Sequence, residues 1–330
     1  MKASMNRARV LYVAGQGRTG STVLGRTLGG LPDVTFVGEL CFFWRRFANR
    51  ELCSCGQPLP ECKFWSEVLI AAFGTITPDQ VQQFAEMERL LLRRQALSGR
   101  RTADRDRQIR AMRDARALLY GAITQVAGTT WIVDTGKEPL YGSFVAGLDG
   151  VDFGAVHIIR DPRGVAFSWQ KRVRSDSEPG ELGRRSSWNS AAHWLLQNLA
   201  IQLVLKRKGS AYTRVRYEDF VTRLPEVVRG ISSATGMTIP NPDELARDLA
   251  VRPAELHLVA GNPGVRAKGG AGMSLTLDEE WRVNLPLAQR LIVTTICAVL
   301  MPAYGYPLFT PTIRRSRLSS THTSERTEHG

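Results

Sequence analysis

The sequence has no long apolar run. Its longest, LIVTTICAVLM at 291–301, is far short of the ~20 residues that cross a bilayer and predicts a core helix, not a membrane span. The opening MKASMNRARVLYVAG passes almost directly into an apolar run and has no small-residue cleavage site, which predicts a first strand rather than a signal peptide, and a cytoplasmic protein. No internal repeat is present. Acidic residues are in deficit: 44 Lys and Arg against 31 Asp and Glu leave a net charge of +13. That excess favours anionic partners without choosing among nucleic acid, membrane surface and a small polyanion. Nucleic acid is disfavoured by the dispersion of the arginines. The most basic helical segment, 100–120, interleaves aspartates and repeats Ile109, Met112, Ala115, Leu118 and Leu119 on one face, the pattern of a solvated helix. With 43% hydrophobic and 23% charged residues in 330, the composition suits a globular protein with a full-sized core.

Several short apolar runs are each followed by a turn and a helical stretch. RVLYVAG (9–15) leads into a glycine turn, VTFVG ends before Glu39, WIVD (131–134) leads into TGKEP, and AVHIIR (155–160) leads into DPRGVAFSWQKR. This is the signature of parallel strands joined by crossover helices. It predicts an α/β fold, a P-loop-type parallel sheet flanked by helices, with ligands at the carboxyl ends of the strands. Arg18, Lys137 and Arg160 then share one rim. A largely helical insert is predicted over about 40–128, with helical patterns at 78–97 and 102–127. One domain spans 1–310, and the Ser/Thr/Arg-rich 311–330 reads as a disordered tail.

The loop AGQGRTGST (14–22) spaces Gly15 and Gly20 like a phosphate-cradling loop but carries Ser21 where a nucleotide triphosphatase has lysine. Backbone N–H groups and the helix dipole still favour an anion there. The cation is Arg18, and Thr19, Ser21 and Thr22 supply hydroxyls. No acidic pair has magnesium spacing. Arginine and hydroxyls in place of lysine and a metal ligand point to metal-free group transfer; a structural turn with a solvated arginine is the bland alternative.

GQGRTGSTVL resembles the 5′-phosphosulfate loop of sulfotransferases that use 3′-phosphoadenosine-5′-phosphosulfate (PAPS). VHIIRDPRGVAFSW is similar to their 3′-phosphate motif, an arginine at a strand end followed eight residues later by serine. FVGEL and VDTGKEP resemble, more distantly, segments that in the tyrosylprotein and carbohydrate branches carry a catalytic glutamate and a cofactor-contacting lysine. LVAGNPGVRAKGG resembles the C-terminal cofactor loop of related bacterial enzymes. The resemblance implies a PAPS donor contacted by Gly17, Arg18, Thr19, Gly20, Ser21 and Thr22. It further implies Arg160 and Ser168 on the 3′-phosphate, with Asn262 and Arg266 from the last loop. Arg18, Lys137 and Glu39 are implied as catalytic residues. The family's cytosolic branch uses a loop lysine and a histidine base, and neither carries over to this chain.

Physical need agrees with these roles. By analogy with phosphoryl transfer, the protein must position the reactants and neutralise charge on the leaving oxygen, and a base must take the acceptor's hydroxyl proton. Glu39 is the first candidate base. His193 and His157 compete, though His157 lies inside an apolar strand and reads as a core residue. Lys137 as a solvated turn lysine and Arg160 as a partner of Asp161 are the bland readings.

Four of the five cysteines, Cys41, Cys53, Cys55 and Cys62, fall in one segment, with Cys297 apart. Zinc, a disulfide and plain structural thiols all remain open, and no metal is assigned. Phe42, Phe43, Trp44, Phe64 and Trp65 nearby either pack the insert or line an acceptor pocket. The function expected is transfer of a sulfuryl group from PAPS to a hydroxyl of a small-molecule, carbohydrate or tyrosyl acceptor, releasing adenosine 3′,5′-bisphosphate. The alternatives are a P-loop small-molecule kinase using ATP and magnesium, and a non-enzymatic polyanion binder.

Overall fold

A computed structural model describes residues 7–92, 103–171, 185–207, 211–245, 256–261 and 275–310. The tail at 311–330, the 93–97 end of one predicted helix, Asn262 and Arg266 lie outside the described residues.

Five parallel strands form the sheet: β1 (Ala8–Ala14), β2 (Val34–Gly38), β3 (Trp131–Lys137), β4 (Val151–Ile159) and β5 (Tyr212–Arg216), in the order β2-β3-β1-β4-β5. The β1 run RVLYVA is buried at nearly every position, as a central strand covered by helices on both faces requires. Two strands exceed their sequence-predicted bounds. β3 runs on through Thr135–Gly136–Lys137, read as a turn, and β4 starts at Val151. β5 had no strand signal, because YTRVR is polar and buries only Val215.

Helix α1 (Ser21–Gly29) follows β1. Between β2 and β3 come α2 (Phe43–Ala48), α3 (Lys63–Phe73), α4 (Pro78–Leu92) and α5 (Ala103–Ala127). After β3 and β4 come α6 (Pro139–Val145) and α7 (Pro162–Ser168), and α8 (Ser187–Leu205) then crosses the sheet before β5. Among the described residues no helix is long and apolar enough to cross a membrane. The 291–301 run lies in α9 (Leu287–Cys297) and beyond, where Val293, Cys297 and Met301 are fully buried.

The insert packs as a second core layer on the sheet. Phe43, Trp44 and Trp65 are fully buried, with Phe43 at 5.0 Å from Trp44 and 4.9 Å from Trp65 between ring centroids. In α5, Met112, Ala115 and Leu119 face inward as the periodicity predicts, while Ile109 and Leu118 are exposed. The arginine-rich helix is not wholly solvated. Arg116 is fully buried, donating to Glu88 Oε2 at 3.0 Å and to the Leu40 carbonyl at 2.9 Å. Glu88 also accepts from the backbone of Trp44 and Arg45, which distributes the pair's charge over fixed dipoles. Asp134 completes this polar seam, accepting from Tyr120 Oη at 2.6 Å and Leu40 N at 3.3 Å. Burial raises its carboxyl to about 6, against the opposing pull of the Tyr120 hydroxyl and Arg116.

Candidate active site

The register sets the rim. Ala14, the last residue of β1, pairs with Lys137 on one side and His157 on the other, and Gly38 of β2 pairs with Asp134. The loops after β1, β2, β3 and β4 therefore open side by side.

The loop after β1 is shaped by steric need. A Cβ at Gly15 would lie 2.6 Å from the Ile158 carbonyl and one at Gly17 2.9 Å from the Trp169 ring. Gly20 sits at φ 89 as the N-cap of α1 and provides no capping side chain, so no N-cap side chain competes for the amides of the first helical turn. Arg18 itself is left-handed, at φ 73. Its guanidinium lies 5.1 Å from the Trp169 ring centroid, and burial lowers its pKa from the usual arginine range. Ser21 and Thr22 open α1 and are buried. Thr19 is fully buried and donates to the Gln16 carbonyl at 2.7 Å, so its proton is spent inside the loop.

Lys137 donates to Glu39 Oε1, joining two of the expected catalytic residues in one ion pair. Lys137 is left-handed too, at φ 64. Arg160 reaches beneath the glycine loop, its Nη1 donating to the Arg18 carbonyl at 3.2 Å. It does not pair with Asp161, which is taken by Arg163 at 2.7 Å. Its partner is Asp278, at 3.1 Å to Oδ2, and its guanidinium stacks on Tyr217 at 4.5 Å. Lys171 joins the same carboxylate at 3.4 Å. Burial works to raise the Asp278 pKa, but Arg160 and then Lys171 outweigh it and hold the group below the usual carboxylate range. Ser168 is the last residue of α7, half-buried beside this group in sequence.

Helix α8 backs the rim. Trp194 Nε1 donates to the Arg160 carbonyl at 2.9 Å, Gln197 to the Gly15 carbonyl at 3.2 Å, and Gln16 Nε2 to the Ser190 carbonyl at 3.2 Å. Gln16 Oε1 and Ser190 Oγ are buried without a partner, which leaves unspent hydrogen-bonding capacity behind the loop. The two histidines part company. His157 is bracketed by Tyr212 Oη at 2.9 Å and Asn198 Oδ1 at 2.8 Å, and burial lowers it to about 4: a core residue. His193 instead lines a cavity of about 470 Å³ with Glu138, Gln197 and the apolar Leu140, Leu196 and Ala200. Phe42, Phe43, Trp44, Phe64 and Trp65 do not line it.

Trp169, Lys171 and Asp278 were not singled out from the sequence. Trp169 had a signal, standing directly after the serine of the DPRGVAFSW segment. Asp278 had none, being one of three consecutive acidic residues before Trp281.

No protein-family model matches the chain, and a search of curated proteins gives no match. Among solved structures, it is similar to the sulfotransferase domain of the Synechococcus PCC 7002 olefin synthase, at 18% identity and TM-score 0.48, over 93% of this chain and 99% of that one. It is likewise similar to the sulfotransferase domain of the curacin biosynthetic pathway, at 14% identity and TM-score 0.51, over 91% and 99%. The second likeness establishes the architecture: this chain has the fold of sulfotransferase domains.

Proposed function

We propose that the protein is a sulfotransferase that moves a sulfuryl group from PAPS to an acceptor hydroxyl without a metal. The observation that carries the reading is the loop after β1. A glycine cradle runs into an uncapped helix N-terminus, with arginine as its cation and serine at the lysine position. PAPS, when bound, supplies the sulfuryl group and leaves as adenosine 3′,5′-bisphosphate. The first-turn amides of α1, with Gly17, Gly20, Ser21 and Thr22, bind the 5′ anion. Arg18 and Lys137 stand at the two loop ends that flank it and neutralise charge there. Glu39 holds Lys137 on one oxygen, and its second oxygen takes the acceptor's proton.

Arg160 and Lys171 supply the 3′-phosphate site with Ser168. The Asp278 carboxylate that now bridges the two cations occupies the place of an anion, and in this reading the phosphate displaces it. Acceptors enter by the cavity that carries His193 and Glu138, whose apolar walls favour a hydroxyl on an apolar or aromatic body.

Thermal shift tests the donor. Adenosine 3′,5′-bisphosphate should raise the melting temperature without magnesium, and AMP much less, because only the former reaches Arg160. Arg160→Ala should erase that preference, worth about 1.5–3 kcal/mol for charged hydrogen bonds. An equal or larger shift with ATP and magnesium would favour a kinase.

A further inference from the structure

The side chains of Cys53, Cys55, Cys62 and His257 converge at the base of the insert, and the structure assigns them a function of their own: we propose a structural zinc site of the Cys3His type. The four ligand atoms all lie within 4.8 Å of one another. Cys62 Sγ is 3.7 Å from Cys53 Sγ, 3.6 Å from Cys55 Sγ and 3.3 Å from His257 Nδ1, and Cys53 Sγ is 3.9 Å from the same nitrogen. A tetrahedral ion with metal–sulfur bonds of about 2.3 Å sets its sulfurs about 3.8 Å apart, with sulfur–nitrogen edges slightly shorter. The two sulfur–sulfur edges, 3.6 and 3.7 Å, fit that figure, and the sulfur–nitrogen edges, 3.3 and 3.9 Å, straddle theirs. A disulfide would need about 2.05 Å, and all five cysteines are free.

The grouping differs from the one the sequence suggested. Cys41 is excluded, its thiol donating to the Gly136 carbonyl at 3.4 Å, and the fourth ligand comes from 195 residues beyond Cys62.

Each ligand is held by backbone geometry that does not depend on a metal. A tight turn links Gly56 N to the Cys53 carbonyl at 3.0 Å and Cys53 N to the Gln57 carbonyl at 2.8 Å. Gly56 adopts φ 88 to close it, a conformation that side chains resist. Cys62 is the N-cap residue of α3. His257 is fixed by Phe64, stacked on its ring at 5.0 Å and 9°, and by Trp65 Nε1 donating to its carbonyl at 3.1 Å. Ser54 and Leu258 exchange bonds beside it, Leu258 N donating to Ser54 Oγ at 2.7 Å. Four protein ligands close the coordination sphere, which is the structural form of a zinc site, and thiolates select zinc over magnesium or calcium. The ion ties the insert to segment 256–261, whose Val259 N bonds the Val37 carbonyl at 3.0 Å just before Glu39.

The test is metal content of the full chain, purified without chelator from zinc-supplemented cells. Zinc near one per chain is expected, with the thiols of the site shielded from a thiol reagent until a chelator is added. Cobalt(II) in its place should show thiolate charge-transfer and tetrahedral d–d bands. Cys55 is exposed, so Cys55→Ser should fold normally and surrender its metal to a chelator at least tenfold faster. Should that variant prove insoluble, His257→Cys keeps four ligands and should retain the metal with a cobalt spectrum shifted toward four sulfurs. Soluble native protein without stoichiometric zinc, or zinc retained unchanged in both Cys55→Ser and His257→Ala, overturns the assignment. No donor or acceptor enters these measurements, so the zinc site and the transfer reading can fail separately.

Discussion

The strand-end rim and the cysteine–histidine cluster both gather reactive side chains, but the chain holds them in opposite ways. At the rim, each group projects from a loop that immediately follows a strand, and the sheet register alone brings the loops together, with Ala14 level with Lys137 and His157. In the cluster, no sheet does this work. Two turns and a remote segment meet across a sequence gap of 195 residues, each fixed by its own hydrogen bonds. The rim is open, with uncapped amides and cations whose present partners are exchangeable carboxylates. The cluster is closed, its four donors facing one another. Open positive sites are built for anions that come and go, and closed soft-donor sites for an ion that stays.

The sharpest break of this contrast is at Glu39. Glu39→Gln keeps volume and can still accept from Lys137, so donor binding should barely change. Turnover with a labelled donor should fall by roughly 10² to 10⁴. If turnover holds while His193→Ala loses it, the base belongs to the cavity wall and not to the β2 end. Arg18→Ala should cost roughly 10² to 10³, visible in kcat/KM and in a weakened thermal shift by adenosine 3′,5′-bisphosphate, because in the proposed reading Arg18 touches the anion before and during transfer.

The cluster should respond in the opposite sense. Chelation of zinc from a site held at a hundredfold excess over its Kd removes about 2.7 kcal/mol, or roughly 4 °C of melting temperature for a chain of this length. The shift given by the bisphosphate should survive. Loss of that shift on chelation would show that the two regions are one.

The smallest effect belongs to the polar seam between them. The folded Asp134 carboxyl sits at about 6 and the unfolded one near 3.9. The folded state therefore holds its proton more tightly, and this group's contribution is present below pH ~4 and fades as pH rises to about 6. Asp134→Asn should flatten the fall in stability across that window in denaturant titrations. An unchanged slope would place the titration elsewhere.

What was readable from the sequence divides along the same line. Strands β1 to β4, the glycine loop and the cations at its edges are local features: apolar runs, turn glycines and a charge at a fixed offset. They were legible because a parallel sheet converts short-range pattern into long-range adjacency. His257 was not, since a lone histidine carries no spacing to its partners. Arg116 was missed because the rest of its helix's charge pattern reads as solvated, and the groups that make its burial tolerable, Glu88 and the Leu40 carbonyl, lie outside its own helix. Asp278 escaped for a related reason: its role comes from Arg160 and Lys171, on the far side of the site in sequence.

Arg18 and Lys137 both occupy left-handed backbone, at φ 73 and φ 64, which costs a non-glycine residue on the order of 1 kcal/mol each. The residues that relieve this strain most easily are glycine and asparagine, and neither carries a cation. If these two side chains act in transfer as proposed, drift toward stability and drift toward inactivity run in the same direction at both positions. A lineage released from selection for its chemistry should lose these side chains early while keeping its loops intact, so descendants with glycine at 18 or 137 would be sturdy, well-folded and catalytically silent.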